Sequence, residues 1–238
     1  MRKWYEEQLQ RVAGHDISDE ELDREITDSA KALSFDFWMF GVRLPVPVSR
    51  PAIEVRGNYP PAWQSRYRTP GYVEIDPILR HCKVSSVPLI WTAEAPSSER
   101  QYWDEAKAHG IRYGWSMSLR GQFGAITWFT LARDTHPIYP DELAVTECPM
   151  IWLAHFVHAS LGARLLPAMF TDGMPHLSSR EREVMGWTAE GKTASEIGVI
   201  LGIAESTCIF HITNATRKLG AVSKTHAAVR AAVLGLIG

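Results

Sequence analysis

The chain has 238 residues, 45% hydrophobic and 22% charged, a balance that suits two folded domains and excludes a disordered or disulfide-built protein. Its three cysteines, Cys82, Cys148 and Cys208, are scattered, so neither a disulfide framework nor a metal site is expected. Net charge is −2, but from Gly173 onward seven Lys/Arg face five Asp/Glu, against 18 and 22 before it, a mild excess of positive charge where a nucleic acid would be met.

The N-terminal MRKWYEEQLQR lacks the apolar stretch of a secretion signal, and no run of about eighteen apolar residues offers a membrane span. A cytoplasmic chain with no membrane partner is therefore expected. Asp19–Leu33 reads as an amphipathic helix. Phe35–Val42 (FDFWMFGV) is aromatic-rich and reads as a strand. Pro60–Arg68 reads as a short helix opened by a proline, whose φ suits a first turn. Ser97–His109 is helical in pattern, with Ser97 or Ser98 as its cap. Two strands, Tyr113–Leu119 and Ala125–Ala132, flank a turn at Arg120–Gly124, and a long helix follows from Pro140 to about Leu165. Helices on both sides of a mostly antiparallel sheet make an α+β fold, an α/β/α sandwich. Residues 166–176 carry Pro167, Gly173 and Pro175 and mark a linker between a first domain, 1–165, and a second, 177–238.

The second domain reads as all-α, with four short helices. Ser178 with Glu181, and Thr193 with Glu196, have capping-box spacing. The first helix stops at Gly191, the second at Gly202; Glu205–Leu219 is a third, and Ser223 caps a fourth that reaches Gly235. A short helix, a tight turn and a longer helix have helix-turn-helix spacing, although a plain helical bundle has the same outline. The residues go further. LSSREREVMGWTAEGKTASEIGVILGIAESTCIFHITNATRKLGAVSKTHAAV (Leu177–Val229) resembles the helix-turn-helix of LuxR-type regulators in its REREV, its Trp187-to-Lys192 segment, the Thr207–His211 register and Asn214 to Leu219. The resemblance implies a recognition helix at Glu205–Leu219. Lys192, Thr193, Thr207, Lys218 and Lys224 are then phosphate-side contacts. Ser206, Ile209, Phe210 and Thr213 face the groove, Phe210 with a core position as its alternative. His211 is either a base contact or a packing residue. The resemblance also places Glu181, Met185 and Gly191 at positions linked to DNA binding. Ala204 stands where relatives place a capping Ser or Asp, and Ile209 where many carry a polar residue.

In the first domain, Tyr59, Trp63 and Tyr67 are four apart, and Asp76 and Trp91 follow closely. Aromatic walls with one carboxylate suit an apolar ligand carrying an amide; equally, the same pattern fits an aromatic core with Asp76 capping a turn before Pro77. YPPAWQSRY, Ile75-Asp76-Pro77, the PLIW ending at Trp91, and HGIRYGWSMSLRG (His109–Gly121) resemble the autoinducer-binding domain of LuxR-type quorum-sensing receptors, with most likeness to RhlR-like and QscR-like members. The resemblance implies an N-acyl-homoserine lactone as effector, with no other cofactor. Trp63 would donate to the lactone carbonyl, Asp76 would accept the amide N–H, and Tyr59, helped by Thr130, would donate to the acyl carbonyl. Tyr67 and Trp91 would wall the site, and Gly114 would allow close backbone approach. Met39 replaces a small residue of the family pattern and Trp128 an aliphatic one; alternation leaves open which sheet face Trp128 takes. The same resemblance implies a homodimer on double-stranded promoter DNA with RNA polymerase as a further partner, and no catalysis.

Other classes fit less well. A metallo-lactonase needs a His-rich metal motif, and only His155 and His158 are close. A serine acylase wants G-x-S-x-G, which Gly114-Trp115-Ser116-Met117-Ser118 fails at its last position. A two-component response regulator shares the tail, but the first half lacks the strand–helix alternation of a receiver domain.

Overall fold

The computed structural model describes residues 17–69, 71–94, 99–170 and 173–237. They form two compact units. The first holds the chain up to Val42, Glu54–Leu119 and Ile126–Leu165; the second holds Arg43–Ile53, Arg120–Ala125 and the chain from Leu166.

The first unit opens with α1 (Asp19–Ala32), started by a Ser18–Glu21 capping box and burying Leu22, Ile26 and Ala30 along one face. Strand β1 covers Phe37–Arg43 rather than starting at Phe35. The reason is local: Ser34 is left-handed, and the Phe35 amide donates back to the Ala30 carbonyl at 2.9 Å, closing the helix in a Schellman-type cap. The helix expected around Trp63 is α2, Pro61–Tyr67. The helix expected from Ser97 is α4, Arg100–Ala108; the Ser97 and Ser98 caps lie outside the described residues. Strands β4 (Tyr113–Arg120) and β5 (Ile126–Arg133) form the expected pair, and the long helix α5 runs Pro140–Ala168, three residues past its expected end. Three elements went unforeseen: β2 (Ile53–Gly57), α3 (Pro77–Val84) and β3 (Leu89–Thr92).

The sheet order is β2-β1-β5-β4-β3, with β3 and β4 antiparallel, Trp91 opposite Gly114 and Leu89 opposite Ser116. Side-chain contacts tell its two faces apart. Trp38 Nε1 donates to Thr27 of α1 at 2.8 Å, Phe40 lies against Gly162 of α5, and Thr127 meets His158 of α5 at 2.8 Å. That face carries α1 and α5. Alternation turns Met39, Gly41, Trp128 and Thr130 to the opposite face, which carries the aromatic residues of α2 and α4. Helices on both faces make the α/β/α sandwich.

The second unit carries four helices from Ser178 onward: α6 (Ser179–Ala189), α7 (Ala194–Leu201), α8 (Glu205–Lys218) and α9 (Lys224–Val233). Both expected capping boxes form, Ser178 with Glu181 and Thr193 with Glu196. Helix α7 ends at Gly202 with φ 64°, a left-handed stop that glycine takes at little cost. The chain bends by 110° from α7 to α8, within the helix-turn-helix range. Val184, Ile197 and Cys208 are fully buried and join α6, α7 and α8; Met185, Ala215, Leu219, Ala227 and Ala231 make the core with α9.

The start of α8 is underbuilt. Ala204 has the extended backbone of an N-cap but offers no side-chain acceptor. Ala204→Ser supplies one to the free amides of the first turn, a change worth about 1 kcal/mol. The expected outcome is a higher melting temperature of the second unit in a calorimetric scan of the full chain; an unchanged value would mean that solvent already satisfies those amides as well.

Candidate functional site

Tyr59, Trp63, Tyr67, Asp76, Trp91 and Thr130 are all buried, and all stand in the first unit. Trp63 and Tyr67 share a face of α2 with ring centroids 6.4 Å apart, and Tyr59 enters that helix. Together with Met39 they line a small cavity. Trp63 also meets Tyr102 of α4 edge-on at 5.6 Å, and Trp103 lies over Trp91 at 5.4 Å.

Asp76 has no solvent exposure. It caps α3, accepting the Ile78 amide at 2.8 Å, with Pro77 in the first turn. It also accepts the Tyr67 hydroxyl at 2.6 Å, and the Leu79 amide and the Tyr102 hydroxyl also favour its charged form. Both readings of the sequence thus describe real features: the residue is a helix cap and also the one carboxylate set among these rings. Burial pushes its pKa up, and the donor groups around it offset this only in part. Burial first, then the Asp76 charge, pushes the Tyr59, Tyr67 and Tyr102 phenols above their usual range. They stay protonated at neutral pH and are hydrogen-bond donors.

A second polar line crosses the sheet. Trp91 Nε1 donates to Ser116 Oγ at 2.8 Å, and Ser116 donates to Thr130 Oγ1 at 3.0 Å. Ser116 spends its proton on Thr130, so the Thr130 proton is left to be donated onward. Gly114 gives its close approach to Trp91: a Cβ there would stand 2.2 Å from the indole and 2.4 Å from the Leu131 carbonyl. Outside the aromatic group, Arg66 of α2 pairs with Glu105 of α4 at 2.6 Å. That bond, above all, lowers the Glu105 pKa to about 2.

Sequence reasoning missed Tyr102 and Ser116. Tyr102 could have been suspected from the apolar face it shares with Ala106, and Ser116 from its alternation with Gly114. His158, weighed as a metal ligand, is instead the partner of Thr127, and among the described residues no cluster of three or more His, Cys, Asp or Glu could hold a metal ion.

In the second unit, Ser206, Ile209, Phe210, Thr213 and Arg217 are exposed. Their spacing is that of one helix face, so α8 presents a continuous stripe. Phe210 is 61% exposed and Ile209 51%, which settles Phe210 as a surface residue. Arg217, absent from the sequence reading, extends the stripe. Thr207 and His211 are half-buried, and Lys192, Thr193 and Lys224 are exposed. The Thr193 hydroxyl is committed to Glu196 at 2.8 Å. Lys218 is placed differently from the phosphate contact expected of it: its Nζ holds the buried Glu181 at 2.7 Å. Burial would raise the Glu181 pKa, but Lys218 and Ser178 hold it below the usual carboxylate range.

Comparison with known proteins finds a family match for each of the two units. Residues 18–161 match the family described as "Autoinducer binding domain", and residues 175–231 match "Bacterial regulatory proteins, luxR family". The transcriptional activator protein AnoR of Acinetobacter nosocomialis is 36% identical over 222 residues, 92% of this chain and 93% of its own. The quorum-sensing regulator RhlR of Pseudomonas aeruginosa is 35% identical over 207 residues, 87% and 86% of the two chains. The structure of SdiA in complex with octanoyl-rac-glycerol, 34% identical, covers 98% of this chain and 95% of its own with a TM-score of 0.83. SdiA is a regulatory protein of Escherichia coli. These relatives are regulators rather than enzymes, and the chain belongs to the LuxR family of quorum-sensing transcription regulators, with an autoinducer-binding domain ahead of its helix-turn-helix domain.

Proposed function

We propose that the first domain binds an N-acyl-homoserine lactone and that the chain, as a cytoplasmic homodimer, carries that signal to promoter DNA and RNA polymerase. The observation that carries the ligand reading is Asp76, a fully buried carboxylate among protonated phenols and indoles. An acyl-homoserine lactone has one amide donor and two carbonyl acceptors, and a buried site must meet each of them. Asp76 is the acceptor for the amide N–H. Trp63 donates to the lactone carbonyl, and Tyr59 with Thr130 to the acyl carbonyl. Tyr67 and Trp91 are walls, and residues 166–176 are the linker between the domains.

The SdiA complex contains octanoyl-rac-glycerol, which makes a monoacylglycerol the second ligand to weigh. It has an acyl carbonyl and, in place of the amide N–H, free hydroxyls that can also donate to Asp76. The parent's response separates the two ligand classes, and Asp76→Asn and Trp63→Phe test the polar contacts. With a lactone, each should cost about 1–3 kcal/mol, or about tenfold or more in the concentration giving half-maximal reporter output. A parent that responds to the monoacylglycerol while lactones have no effect on it would replace the lactone reading. At saturation the true ligand should raise the melting temperature by about 5–10 °C, because it stabilises only the folded state. A flat melting temperature across both ligand classes would count against the ligand reading.

The DNA reading rests on the exposed stripe of α8. One small helix-turn-helix makes few phosphate contacts, and two half-sites multiply affinity. Sedimentation of the ligand-bound protein on a promoter fragment should give two protomers per site; one protomer would sink the dimer.

A further inference from the structure

Trp128 is fully buried, and its indole nitrogen has no hydrogen-bond partner. A buried donor is rarely left unpaired, because its lost hydration is then uncompensated. The side chain is also placed with care. A Cβ on Gly41 would stand 2.1 Å from Cζ2, 2.3 Å from Cε2 and 2.5 Å from Cη2 of Trp128. The indole therefore lies flat on β1, with the ring edge beside Nε1 over Gly41, and only glycine leaves room for it. Phenylalanine or leucine would fill apolar space on a sheet without carrying an unpaired N–H.

The face it occupies is the one with the aromatic group. Thr127, its neighbour in β5, turns to α5 through His158, so Trp128 points the other way, with Thr130. Met39, two residues from Gly41 on β1, lines the cavity of Tyr59, Trp63 and Tyr67. Trp128 stands two residues from Thr130 along β5, about 7 Å at the rise of a strand. Thr130 is the hydroxyl assigned above to the acyl carbonyl. A group that far along the same face lies beside the acyl chain, beyond the polar head.

We propose that Trp128 is a specificity residue that selects an acyl chain bearing an oxygen, an oxo or hydroxyl group, to which its indole N–H donates. The proposal rests on the lactone reading above. It differs from the roles of Asp76, Trp63 and Tyr59, which concern the lactone and amide that every such ligand shares.

The test compares lactones of equal chain length with plain, oxo-bearing and hydroxyl-bearing acyl chains, across short to long chains, by the binding constant of the purified full-length protein. The parent should bind the oxygen-bearing member more tightly. Trp128→Phe keeps most of the ring and removes the N–H; it should erase the preference, a change of between about threefold and tenfold in the ratio of constants, with the plain lactone affected little. Trp115 supplies the control. It too is fully buried with an unpaired indole nitrogen, but Gly114 and Ser116 beside it face Trp91, so it points to the opposite side of the sheet. Trp115→Phe should keep the preference. Should Trp128→Phe fold poorly, the parent's assigned indole proton resonances give a second reading: that of Trp128 should move downfield with the oxygen-bearing lactone and not with its plain analogue. A preference that survives Trp128→Phe, a preference lost equally in Trp115→Phe, a parent without preference, or an unmoved Trp128 resonance overturns the proposal while leaving the lactone reading intact. A parent that binds no lactone overturns both.

Discussion

A carboxylate without solvent must be met by donors, and the aromatic face of the first unit is arranged around that demand. Asp76 takes its bonds from Tyr67 at the end of α2 and from the Ile78 amide of α3, and Tyr102 of α4 also favours its charge. Three helices are thereby tied to one side chain. The α3 terminus contributes in two ways, through free amides and through the positive end of its dipole. The Arg66–Glu105 pair repeats the tie between α2 and α4 nearer to solvent. Loss of the carboxylate would leave the buried Tyr67 phenol and the Ile78 amide to find new partners, so a change at Asp76 acts on the packing of the pocket as well as on its chemistry.

The sheet beneath is shaped by a complementary constraint. Two indoles lie flat on strands, and each needs a neighbour without a side chain: Gly41 under Trp128 and Gly114 under Trp91. Their polar edges differ. The Trp91 nitrogen is spent on Ser116, and through it orders the Thr130 hydroxyl. The Trp128 nitrogen is not spent on the protein. Two similar packing solutions thus leave different hydrogen-bonding capacity on the same face.

Legibility in the sequence followed the range of the interactions. Capping boxes are bonds across three residues, so the starts of α6 and α7 could be read directly at Ser178–Glu181 and Thr193–Glu196. The hairpin of β4 and β5 was equally local. By contrast, β3 is four residues long and β2 five, too short for alternation to show, and β3 draws its hydrogen bonds from β4, some twenty residues on. Helix α3 was hidden for another reason. Asp76-Pro77 is a cap followed by a first-turn proline, but Asp76 was read for its chemistry and the helix behind it was overlooked. Tyr102 is 26 residues from Asp76 in the chain, and Lys218 is 37 from Glu181. No local pattern announces such pairs, so the bond that Lys218 gives to the buried Glu181 could not be read beside the phosphate contact expected of it.

That use of Lys218 bears on how α8 meets DNA. A lysine that leaves Glu181 abandons a charge with almost no solvent, which is costly. On the proposed reading, contact to phosphate would then fall more on residues without such an obligation, and Arg217 is exposed at the end of the stripe. The centre of the stripe is apolar. Ile209 and Phe210 stand exposed on adjacent positions, where neither can accept or donate to a base edge. In the major groove an aliphatic or aromatic side chain gains by covering the thymine methyl and loses against bare polar edges. If α8 enters the major groove as proposed, these two positions would select by apolar contact and fit, and hydrogen-bonded recognition would fall to polar neighbours such as Ser206 and Arg217.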